Sequence, residues 1–70
     1  MPEPFEHLAH PLLRKQVRDI ASGAEGELTA VVHAEVGRMN GVRTYAPIAH
    51  IRMPSGLELT TAVANIAAIR

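Results

Sequence analysis

Seventy residues with no cysteine, 47% hydrophobic and 20% charged at zero formal net charge, describe one small globular domain. That balance excludes an intrinsically disordered chain, a strongly basic nucleic-acid binder and a disulfide scaffold. No apolar run approaches the roughly 18 residues of a membrane helix. The start, Met1-Pro2-Glu3-Pro4-Phe5-Glu6, is acidic and carries two prolines, unlike a secretory signal. A cytoplasmic setting is expected. A chain of this size buries only about 60% of its unfolded surface, so a partner or a metal is the usual source of extra stability.

Residues 1–13 are expected to form an N-terminal arm and residues 14–70 the folded domain. Pro2, Pro4 and Pro11 interrupt regular structure in the arm, while Phe5, Leu8, Leu12 and Leu13 need a surface to pack on. From Pro11 to Ser22 two readings compete. Leu12, Leu13, Val17 and Ile20 recur at helical spacing, with Pro11 to start a helix and Gly23 to stop it. The other reading is a short strand over 15–20, followed by a turn from Ala21 to Gly26. We take the strand, because the segment that follows is a strand; a helix here would make the fold α+β.

Glu27 to Val36 carries the clearest pattern. Leu28, Ala30, Val32, Ala34 and Val36 alternate with Glu27, Thr29, Val31, His33 and Glu35, which predicts a strand with the first set buried. Gly37 to Tyr45 is expected to be a connector, with Asn40-Gly41 supplying the positive φ angles of a hairpin turn. The return strand over 47–53 then places Ala49, Ile51 and Met53 on one face and Ile48, His50 and Arg52 on the other. Pro54-Ser55-Gly56 marks a second turn, and 57–63 alternates again through Leu57, Leu59, Thr61 and Val63. Ile66 and Ile69, three apart in the tail from Ala64 to Arg70, suggest a short helical turn. Strands at such intervals between glycine-containing turns indicate a small all-β sandwich or barrel of about four to five antiparallel strands.

The run Val17-Arg18-Asp19-Ile20-Ala21-Ser22-Gly23-Ala24-Glu25-Gly26-Glu27-Leu28 resembles the first hairpin of KOW-type, SH3-like small barrels. It has the V-x-D strand, the glycine-bearing turn and the second glycine ahead of a long alternating strand. Ala49-His50-Ile51-Arg52-Met53-Pro54-Ser55-Gly56-Leu57-Glu58-Leu59 is similar to the next hairpin of small barrel proteins of high-GC bacteria. The likeness spans about 15–69 and implies an SH3-like barrel without a catalytic residue. The chain departs from better-known members in lacking aromatic residues in its turns. Asp19, just before a turn, is expected to accept hydrogen bonds from that turn. Gly26, Gly41 and Gly56 are expected at unusual backbone angles. Gly23-Ala24-Glu25-Gly26 is no phosphate loop, because it lacks the Lys-Ser/Thr that follows one.

Catalysis finds little to work with. Cysteine is absent, and the only serines, Ser22 and Ser55, fall in turns. No cofactor is implied. His33 and His50 are expected on one outward face, with His7 and His10 three apart in the arm. Without cysteine or a ligand spacing these four are read as polar surface residues, and no metal is expected. A nucleic-acid reading rests on Arg38, Arg43 and Arg52, in a stretch without acidic residues, and on Arg14, Lys15 and Arg18. Against it stand the zero net charge and only two aromatic residues, Phe5 and Tyr45, for base stacking. The preferred reading is a non-catalytic protein-interaction module whose partner is either an unknown protein or a second copy of itself in a homodimer. Its interface residues would be Phe5, Leu8 and Leu12 of the arm with Val31 and Ile48 of the outward face.

Overall fold

A computed structural model describes residues 6–69. The described residues fold as an all-β domain of six strands: β1 Glu6–His7, β2 Gln16–Asp19, β3 Glu25–Met39, β4 Val42–Arg52, β5 Glu58–Ala62 and β6 Ile66–Ala68. A 3-10 turn, Val63–Asn65, joins β5 to β6. Every pairing is antiparallel, in the order β5-β4-β3-β2-β6. β1 joins the edge of β3 beyond β2, with His7 opposite Val32.

The ambiguous stretch resolves as turn then strand. Leu13 N–H bonds the His10 carbonyl at 3.1 Å and Lys15 N–H the Leu12 carbonyl at 2.9 Å, so the helical spacing of Leu12 and Leu13 reflects a turn, after which β2 begins. Arg14 sits in the left-handed region at φ 68°, a conformation that costs a non-glycine residue about 1–3 kcal/mol. Its N–H donates to the Leu28 carbonyl at 2.8 Å, and Leu28 N–H donates to the Lys15 carbonyl at 3.0 Å. These two bonds tie the turn to β3.

β3 holds the largest departure from simple alternation. Leu28 pairs with Ile51, but Ala30 pairs with His50, so Thr29 is an extra residue in the ladder. Such a bulge exchanges the faces of everything beyond it. Leu28 and Val31 therefore point to the same side, opposite Ile51 and Ala49. Val31, expected to face outward, is a core residue at 2% exposure. The buried cluster is Val17, Leu28, Val31, Ala49 and Ile51, with Leu8, Leu12, Leu13, Leu59, Val63 and Ile66 packed against it. Full burial of such side chains contributes roughly 1.5–3 kcal/mol each, so this core is small. Leu8 and Leu12 cover their own domain, whereas Phe5 lies outside the described residues.

Three further differences have local causes. The connector expected over Gly37–Tyr45 shrinks to Asn40 and Gly41, at φ 51° and 79°, and both strands run on to meet there. Positive φ at both central residues matches the twist of the flanking strands, so the turn can be two residues long. The C-terminal helical turn lies at Val63–Asn65, upstream of its expected place, and Ile66–Ala68 pairs with β2 instead. Gly26 has no unusual φ; a Cβ there would run into the carbonyl of Arg52, so close strand approach demands the glycine.

Candidate interaction surface

Cross-strand pairs divide the residues of the long β3–β4 hairpin between two faces. The inner face carries Val31 and Ala49, then His33 with Pro47, Glu35 with Tyr45, and Arg38 with Arg43. The outer face carries five rows in sequence: Ala30 with His50, Val32 with Ile48, Ala34 with Ala46, Gly37 with Thr44, and Met39 with Val42. A second bulge, at Val36, keeps the outer rows in phase between Ala34 and Gly37. None of these ten outer residues carries a formal charge, apart from a protonated His50.

Past β1 and β5 the described hairpin strands pair only with each other, since β1 reaches His33 and β5 reaches Ile48. The projecting end accounts for a long axis of 40 Å against 27 and 22 Å. It exposes apolar side chains a core would normally claim: Val36 at 53%, Met39 at 70%, Val42 at 64% and Tyr45 at 46%. At the base of the outer face lies a groove of about 360 Å³, lined by His7, Thr29, Ala30, Val32, Ala34, His50 and Glu58. His50 Nδ1 lies 3.3 Å from Glu58 Oε1 at its rim. Ile48, expected on the outward face, is there and half-buried, next to Val32 and Ala62.

The basic residues do not converge. Arg43 and Arg52 stand nine residues apart on β4, about 30 Å along an extended strand. Arg14 lies 3.5 Å from Glu27, Arg18 2.7 Å from Glu25, and Arg43 3.7 Å from Glu35. Arg52 faces Glu27 on one neighbouring strand and Glu58 on the other. Arg38 sits directly across from Arg43 at the hairpin tip, and Lys15 lies exposed beside β2. Carboxylates thus accompany most of this set.

The histidines separate as well. The Thr29 bulge puts His50 on the outer face and His33 on the inner one, where its ring lies 5.4 Å from that of Tyr45. His10 Nδ1 accepts the Leu12 N–H at 3.1 Å, a turn-building bond. Among the described residues no three His, Asp or Glu side chains converge as metal ligands.

Asp19 has the structural role its position suggests. Buried at the end of β2, its Oδ2 accepts the Ser22 hydroxyl at 2.5 Å and the Ser22 N–H at 3.1 Å. The Ser22 hydroxyl, followed by the Thr61 hydroxyl, holds its carboxyl below the usual value, with burial acting in the opposite sense. The carboxylate closes the turn that Gly23, at φ 78°, completes.

Among the described residues no helix is long and apolar enough to cross a membrane. Comparison with protein-family models, curated proteins and solved structures finds no match. The surface itself carries the functional argument.

Proposed function

We propose that this chain is a non-catalytic protein-interaction module that binds through its β3–β4 hairpin. The observation that carries the reading is the uncharged outer face, which continues from the groove at Ala30 and His50 to the exposed Met39 and Val42. Exposed apolar side chains such as Met39 and Val42, on the same face as an open groove, mark a contact site when polar residues rim them. The five-strand order with one helical turn before the last strand supports the likeness to SH3-type barrels. The absence of cysteine supports a cytoplasmic setting.

The second reading, a nucleic-acid-binding barrel, draws on Arg38 and Arg43 at the hairpin tip. Its other residues, Arg14, Lys15, Arg18 and Arg52, belong to the opposite end of the molecule, so no single basic track joins them.

A photoreactive amino acid placed at Val42, and in a second protein at Lys15, tests the preferred reading in cells. Protein adducts at position 42 and not at 15 are the expected result. No adduct at 42, together with saturable nucleic-acid binding that falls steeply between 50 and 200 mM salt, would replace it with the second.

A further inference from the structure

The geometry points to a specific occupant of the outer hairpin face: a second copy of the same chain, packed face to face and antiparallel about a two-fold axis. This rests on the interaction-module reading and names its partner. The axis lies between the two faces, perpendicular to the strands, at the row formed by Ala34 and Ala46.

Three observations lead there. The first is spacing. On β4, Ala46 stands four residues from Val42 and four from His50, about 13 Å each way. On β3, Ala34 is four residues from Ala30 and five from Met39, and the bulge at Val36 absorbs the extra one. The tip row and the groove row are therefore equidistant from the alanine row. A two-fold there lays each tip on the other copy's groove.

The second is size. That superposition sets Met39 over Ala30, Gly37 over Val32, which lies at 5% exposure in the floor of the groove, Ile48 over Thr44 and Val42 over His50, while Ala34 and Ala46 meet their own counterparts. Large residues fall on small ones, except where His50 meets Val42, and the smallest residues lie near the axis, where close approach is needed. Facing sheets interlock by this alternation, about 10 Å apart. Met39, an unbranched and adaptable side chain, enters the 360 Å³ groove at Ala30.

The third is charge. The ten interface positions hold no acidic or permanently basic side chain, while Glu35, Arg38 and Arg43 occupy the opposite face of the same hairpin. Identical charges would otherwise be brought together around a two-fold. The footprint is about 30 by 15 Å, or ~450 Å² when flat, against roughly 800 Å² per partner for a standard interface. The dimer is accordingly a weak, reversible one.

The test uses the full chain, which has no native cysteine. Three single variants, Ala46→Cys, Val42→Cys and Arg43→Cys, are treated with a short bismaleimide crosslinker. Position 46 meets its own copy at the axis, whereas the two Val42 residues stand about 26 Å apart, four residues to either side of it. Efficient dimer linkage at 46, and little at 42 or 43, is expected. Mixing Val42→Cys with His50→Cys should restore linkage between the two chains.

Sedimentation velocity from micromolar to millimolar protein should show reversible conversion between 7.6 kDa and twice that mass. Ala46→Arg should hold the chain at the monomer mass while keeping its far-UV spectrum. Equal linkage at all three positions, or a monomer throughout the concentration range, would overturn the inference. If a monomer still forms adducts with other proteins at Val42 in cells, the interaction-module reading survives and only the identity of the partner falls.

Discussion

Gly26 shows how one atom constrains this fold. Its hydrogen leaves room for the Arg52 carbonyl, and a methyl group would not. Gly26→Ala should cost about 3 kcal/mol, the upper end for overpacking, and thermal or urea denaturation will measure it. Leu28→Ala removes a fully buried side chain from the small core and should cost about 2–5 kcal/mol by the same assay. Asp19 governs acid behaviour. Its carboxyl is held below its ordinary value of 3.8 in the folded state. The stability it contributes is therefore complete above that value and is lost as pH falls through the lower, folded-state value. Asp19→Asn should flatten the acid limb of the stability profile, and Ser22→Ala should move that limb to higher pH. An unchanged acid limb in both variants would contradict the assigned role of the Ser22 hydroxyl.

At the scale of the element, β3 separates what was legible in the sequence from what was not. Alternation from Glu27 to Val36 marked a strand, and Asn40-Gly41 marked its turn, both correctly. The faces beyond Thr29 were not readable, because a bulge adds one residue without disturbing the apolar-polar rhythm, although Val32, expected to be buried, is so at 5% exposure. Val31 looked like a stray apolar residue on a polar face for this reason, and His33 and His50 looked like neighbours. Only pairing with β4 exposes the shift. The same limit hid the hairpin's length, since Gly37 has weak strand preference and is held in the ladder opposite Thr44 by the turn. The bulge has a direct check. Val31→Asp should unfold the protein, whereas Ala30→Asp should leave it folded while breaking the dimer. Comparable destabilisation by both would mean the bulge is misplaced. Gly41→Ala, at φ 79°, should cost about 1–2 kcal/mol and loosen amide exchange protection in the hairpin first.

For the whole molecule, composition and spacing carried the architecture further than the site. Turn glycines, short alternating segments and the V-x-D hairpin were enough for an antiparallel all-β domain. The proposed interaction surface was only partly visible. Ile48 was placed on it, but Val31 belongs to the core, and Leu8 and Leu12 are used in covering that core. The residues that matter most on this account, Ala34, Ala46, Met39 and Val42, are individually unremarkable. Their significance arises from a register that sets them in rows and from a hairpin that carries them clear of the body.

A dilution series of two-dimensional ¹H–¹⁵N spectra on the full chain tests that account most directly. Signals of Val32, Ala34, Met39, Val42, Ala46 and Ile48 should change together with concentration, while those of Val17, Leu59 and Ile66 stay fixed. Changes centred on Arg14, Lys15 and Arg18, or none at any concentration, would contradict it.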